Sequence, residues 1–224
     1  MGLIKFLFNT SVFAAAGSAT AFTLLTRKSV FAAVPPVSDD AFKAAHLDTF
    51  NPNRNPAVHD RCVRRVRLDK IRPDLLESEG GLVTQFCRGI WGGKGYEAQR
   101  RILSRYHESE KTAHQLWSPE ALANSNYEVG TQITDHFEVI QKTPERIVMR
   151  CGDSPMKRGV RETDGLFDME ARVLKDEGVV EFALESYFFQ GLGKAEGITS
   201  KWMDMLHRVY TKMWMETAIW NCMK

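Results

Sequence analysis

The chain has 224 residues, which is length for one domain with a tail or for two small domains. Its 43% hydrophobic and 26% charged residues are those of an ordinary folded protein and exclude wholesale disorder. Lys and Arg total 30 against 28 Asp and Glu, a net charge of +2, which argues against nucleic acid as a partner because a phosphate-binding domain carries a clear basic excess.

Residues 6–26 contain no charge. As a helix rising 1.5 Å per residue, this stretch reaches about 30 Å, the thickness of a bilayer core. An N-terminal hydrophobic helix is therefore expected, with residues 3–26 meeting a membrane. Lys5 precedes the stretch and Arg27 and Lys28 follow it, a bias that places the C-terminal side in the cytosol. Two other readings compete with a single-pass anchor. A mitochondrial targeting segment fits the absence of acidic residues before Asp39, and a cleaved secretory signal fits the Ala-rich stretches. The expected location is a membrane of the endoplasmic reticulum or the mitochondrion.

Residues 1–33 thus read as an anchor or targeting segment, 34–57 as a linker, and 58–224 as a folded domain. Pro35 and Pro36 break any helix, and Asn51-Pro52-Asn53-Arg54-Asn55-Pro56 is rich in turn formers. One short helix near Ala41 to Ala45 fits between them.

Within the domain, residues 59–69 read as a strand whose basic run, Arg61 to Arg67, suits a solvated edge. Pro73, with Asp74 and Glu77 close behind, marks a helix start. Helices are expected over about 74–90 and 95–107, with Leu82, Phe86 and Ile90 on one stripe and Ile102 and Tyr106 on the next. Ser118-Pro119-Glu120 caps a further short helix. Residues 131–140 then alternate as one strand, turn at Lys142 to Glu145, and return over Arg146 to Cys151. Two more strands follow over 160–174 and 178–189. A long amphipathic helix closes the chain, with Trp202, Leu206, Val209, Met213 and Trp220 as its apolar stripe.

The order is a strand, helices, an antiparallel meander and a long C-terminal helix. It predicts an α+β fold in which that helix covers one face of an antiparallel sheet. With the segments QITDHFEVI, RIVMRCGD, GLFDMEARV and VEFALESYFFQGLG, residues 58–224 resemble the helix-grip superfamily, which includes the START, Bet v 1 and polyketide-cyclase-like domains. The resemblance implies a pocket for a hydrophobic small molecule. In that class, non-redox cyclases, isomerases and lyases sit beside simple carriers of lipid. An organelle-membrane structural protein with a solid core is the remaining reading.

The chemistry-bearing residues narrow the choice. Cys62, Cys87, Cys151 and Cys222 have no zinc or redox spacing and read as buried thiols. Neither Gly191-Leu192-Gly193-Lys194 nor Gly92-Gly93-Lys94-Gly95 meets a phosphate-loop or dinucleotide pattern. Six histidines form no HExxH pair. No cofactor and no metal is therefore expected. What remains is a set of polar residues within the predicted sheet, of which Asp135, His136, Arg150 and Arg161 are the candidate catalytic groups. Strand alternation would let only one of Asp135 and His136 face inward.

Overall fold

The computed structural model describes residues 20–195 and 201–224. The stretch expected to meet a membrane falls mostly outside them. Residues 20–26 are helical, and residues 1–19 are not among the described ones. No helix among the described residues is long and apolar enough to cross a membrane.

Seven strands make one antiparallel sheet: β1 (Val30–Ala32), β2 (Val58–Arg67), β3 (Gln132–Ile133), β4 (Phe137–Thr143), β5 (Arg146–Gly152), β6 (Thr163–Leu174) and β7 (Val179–Gln190). Their order is β1-β2-β7-β6-β5-β4-β3. β3 to β7 form a continuous meander, and β7 closes against β2 over ten paired positions, Val58↔Phe188 to Arg67↔Val179. β1 covers only Arg61 to Val63 of the basic run, and Arg64 to Arg67 keep an unpaired edge on that side, where Arg65 and Arg67 are exposed.

Besides residues 20–26, the described helices are α1 (Ala41–Phe50), α2 (Pro73–Glu77), α3 (Gly81–Trp91), α4 (Lys94–His107), α5 (Pro119–Asn124) and α6 (Lys201–Trp220). Cross-strand register sorts the side chains of the central strands. Ile147, Met149, Phe167, Met169, Phe182 and Leu184 point to the face covered by α3 and α6 and are all buried. Asp164, Asp168, Glu170, Glu185 and Arg150 point to the other face. α3 buries Leu82, Phe86 and Ile90, as its period requires. The four cysteines are buried free thiols.

Two expected apolar stripes are displaced. On α4, Ile102 and Tyr106 are exposed, and the helix buries Tyr96 and Leu103 instead. On α6, Leu206 is 46% and Trp220 71% exposed. The buried set on α6 and just beyond it is Thr211, Trp214, Met215, Glu216, Ala218, Ile219 and Cys222, which leaves the first half of the helix less covered. The side chain of Trp202 lies outside the described residues. α3 and α6 meet backbone to backbone. A Cβ on Gly89 would come within 2.7 Å of the Ala218 Cα and carbonyl oxygen, so glycine alone allows this approach.

The end of the segment expected as an anchor, residues 30–32, forms β1 and pairs with β2. Within the expected linker, 34–57, α1 is capped by Asp40 through the amides of Phe42 and Lys43 and lies on the charged face. The Lys43 ammonium sits 2.5 Å from Glu185 and 3.0 Å from Asp168. Arg61 reaches Glu185 at 3.1 Å and Glu170 at 2.8 Å, and Arg146 reaches Asp168 at 2.8 Å and Asp40 at 2.7 Å. Burial works to raise the Glu185 carboxyl, but hydrogen bonds from His59, Lys43 and Arg61 and the Lys43 charge overcome it and hold the group at about 2. At Asp168 burial wins over Lys43 and Arg146, and the carboxyl is raised. Composition could not place this network, because pairing is a tertiary event.

These contacts are open to measurement through stability. Gly89→Ala overpacks the α3–α6 contact and is expected to destabilise by about 1–3 kcal/mol. Leu206→Ala, at an exposed site, should stay within about 0.5 kcal/mol. Urea denaturation of both variants checks the pair, and equal effects would mean that α6 docks on a different face. Lys43→Met leaves buried carboxylates short of their cation and is expected to destabilise by about 3–5 kcal/mol. A chain shortened to begin at Asn51, which loses β1 and α1, should be destabilised at least as much. The Glu185 contribution has a defined pH sense. Its folded value lies below the ordinary carboxylate value of 4.5, so its stabilisation is present above that pH and is lost as pH falls toward about 2.

Candidate functional site

A cleft of about 540 Å³ opens between the apolar face of the sheet and helices α4 and α6. Phe137, Phe167 and Phe188 form its sheet side, and Trp214 and Tyr210 come from α6. Ile102 and Leu206, the residues displaced from their expected core positions, line the same cleft. One residue of each expected stripe thus serves the cleft wall and not the packed core, while Tyr106 and Trp220 face solvent. The inner end is a cluster of aromatic rings: Trp91 lies 4.5 Å from Phe137 and 5.4 Å from Trp214, centroid to centroid. Such a wall favours a hydrophobic molecule, with a few polar groups to orient it.

His136 lines the cleft, and a turn puts it there. The run 131–140 is not one strand. Thr134 and Asp135 take positive φ values of 48° and 57°, and the amide of His136 closes back on the Ile133 carbonyl at 3.1 Å. This reverses the chain between β3 and β4 in the manner of a tight hairpin. Alternation therefore does not decide between Asp135 and His136.

Each member of the turn has a separate tether. The Tyr96 hydroxyl and Thr134 Oγ1 are 2.5 Å apart. Gln115 accepts from the Asp135 amide at 2.5 Å and donates to its carboxylate at 3.2 Å, and Ser154 donates to the same oxygen at 2.5 Å. Asp135 is thus a buried brace of the turn that carries His136. The His136 Nδ1 lies 3.0 Å from the Thr134 carbonyl. A carbonyl only accepts, so in the neutral ring the proton sits on Nδ1 and Nε2 keeps its lone pair. Burial lowers the pKa of His136. The Thr134 hydrogen bond works the other way, and the His107 ring at 4.7 Å adds to the lowering. The imidazole is consequently neutral at pH 7, with Nε2 free to accept a hydrogen bond or a proton.

A second imidazole lines the cleft from α6. His207 Nε2 lies 3.2 Å from Oδ1 and 3.0 Å from Oδ2 of Asp60, and its ring stands edge-on to Phe188 at 5.5 Å. The carboxylate can only accept, so it fixes the proton on Nε2 of this ring and orients it. His207 and Asp60 were not among the sequence candidates. A signal existed: His207 is four residues before Thr211 and seven before Trp214, on the buried stripe of α6. The partner on β2 is visible only in the fold.

The other candidates lie elsewhere. Arg150 is on the charged face, bidentate to Asp164 at 2.9 and 2.5 Å, bonded to the carbonyls of Arg158 and Gly159, and stacked 3.6 Å over the Phe50 ring. Its donors are occupied by structure. Arg161 precedes β6, is fully buried, and donates through Nε to the Lys157 carbonyl at 2.9 Å. On the charged face, single oxygens of Asp168, Glu170 and Glu185 come within 4.8 Å of one another, the spacing of a cation site. The Lys43 ammonium and the Arg61 guanidinium already stand among them, so protein cations balance that charge.

Compared with known proteins, the chain matches no family model, no curated protein and no solved structure. The site therefore has to be read from its own geometry.

The lowered pKa of His136 has a measurable consequence. In an NMR titration its ring protons should move with a midpoint below the ordinary histidine value of 6.5, and His107→Ala should raise that midpoint by removing a like charge. Because the folded pKa is depressed, the stability tied to this group is present above 6.5 and is lost as pH falls through the folded midpoint. A midpoint at or above 6.5 would show that the ring is solvated.

Proposed function

We propose that this protein binds a hydrophobic small molecule in the cleft and transforms it without a cofactor, as a cyclase, isomerase or lyase. The observation that carries this reading is an apolar cleft of about 540 Å³ whose wall holds two imidazoles in opposite tautomeric arrangements. His136, neutral with Nε2 unprotonated, is the base. It takes a proton from an acidified C–H or O–H of the substrate. His207, oriented by Asp60, is the second candidate proton donor or acceptor, through its other nitrogen. The aromatic wall folds and holds the molecule so that the reacting atoms meet, which is the larger part of catalysis when no cofactor takes part.

The order of elements supports the helix-grip resemblance: helices are inserted after the first long strand, and a long helix follows the last. The reading also keeps the expected membrane association. The uncharged run from residue 6 continues into the helical residues 20–26, where Leu24 and Leu25 are exposed. A lipophilic substrate would reach a domain held on the cytosolic side of an endoplasmic-reticulum or mitochondrial membrane by partition through the bilayer.

Native mass spectrometry of the full-length chain, purified in detergent, is expected to retain a hydrophobic ligand. His136→Gln should keep that ligand and its melting temperature while product formation from the recovered molecule falls by about 10²–10⁴-fold. Retained ligand with undiminished turnover in His136→Gln would remove this group from the mechanism. Bound ligand with no turnover in the parent chain would make the protein a carrier, and an empty protein whose cleft admits no apolar probe would favour a structural role.

A further inference from the structure

The stretch from Arg150 to Arg161 gathers four cations around one loop. Three of them have a carboxylate: Arg150 pairs with Asp164 at 2.5 Å, Lys157 with Asp153 at 2.9 Å, and Arg158 with Glu138 at 2.7 Å. Arg161 is the exception. It is 0% exposed, and although its Nε is bonded, neither Nη1 nor Nη2 has a hydrogen-bond partner among the described residues. Burial, then the like charge of Arg150, pulls the guanidinium below its ordinary value against the attraction of Asp164 and Glu138. Those two carboxylates are committed to Arg150 and Arg158.

The identity of the residue gives this observation its force. A buried lysine or histidine can shed its proton and become neutral, but a guanidinium does not deprotonate in proteins. The charge therefore stays, and two carboxylates, Asp164 and Glu138, face three guanidiniums, Arg150, Arg158 and Arg161, so one positive charge is left in excess where burial makes it unfavourable. A water molecule could accept a hydrogen bond from Nη1 or Nη2 yet would leave the charge uncompensated. Two free nitrogens on one planar fork match two oxygens of a planar anion.

We propose that Arg161 forms a buried binding site for a small monoanion, with a carboxylate as the best-fitting group and a halide ion as the simpler occupant. The site lies at the start of β6, apart from the two cleft imidazoles, and the proposal stands whether or not the cleft is catalytic. Binding to the folded state alone raises stability with anion concentration.

Calorimetry of the full-length chain at pH 7 and fixed ionic strength tests it. Sodium formate or sodium chloride replaces the bulky sulfonate 2-(N-morpholino)ethanesulfonate. Formate is expected to raise the melting temperature by at least about 2 °C, on the order expected for tenfold saturation of a site in a domain of this size. A larger rise with formate than with chloride assigns a carboxylate site, and the reverse assigns a halide site. Arg161→Met should abolish the response, and Arg67→Met, at an exposed ion pair with Asp69, should keep it. A wild-type protein indifferent to both anions, or an Arg161→Met variant that responds as strongly, overturns the proposal. If Arg161→Met does not fold, formate linewidths in the presence of the wild-type chain decide: saturable broadening supports the site, and its absence sinks it.

Discussion

The ammonium of Lys43 between Asp168 and Glu185 governs how the two faces of the sheet are used. Ionised carboxylates on central strands cannot lie beneath an apolar helix without counter-charges, because their lost hydration is not returned. α1 supplies one such charge, and Arg61 and Arg146 supply others. With Asp164, Asp168, Glu170 and Glu185 on one face and paired there, the opposite face of the central strands is left mainly apolar, with Asp60 meeting His207 as an exception. The same division explains why residues 30–50 belong with the sheet: they bring Lys43 and the edge strand β1 to it.

The apolar face then divides again. The second half of α6 is drawn onto the core by Trp214, Met215, Ala218 and Ile219 and onto α3 through the Gly89 contact. Its first half, around Leu206, is more exposed. The cleft lies beside this less covered half, with aromatic rings filling the inner end where the helix is tightly seated. A helix packed evenly along its length would have left a solid core. Close approach at Gly89 seats one end of the helix, and the less covered half borders the cleft and places His207 on its wall.

Much of this was legible in the chain. The helix starts at Pro73 and Ser118, the stripe of α3, the β4–β5 and β6–β7 hairpins and the long closing helix all follow from local signals, because each depends on spacing, capping or turn formers within a few residues. The cleft lining was legible only in part. His136 lies on it, but a tight turn and not strand alternation presents it. Arg150 looked like a catalytic cation and proves to be bound to Asp164, while Asp135 is a brace.

The sequence by itself determined the α+β class, the order of elements and the presence of an unassigned polar set, since these rest on periodicity and local propensity. Tertiary structure alone decided which acids face which cations, where α6 leaves the sheet, and that His207 meets Asp60 across 147 positions of chain. The physical reason is one of range. Hydrogen-bond periodicity acts over three or four residues, whereas the pairing of buried charges and the opening of a cleft depend on side chains brought together only when the sheet closes.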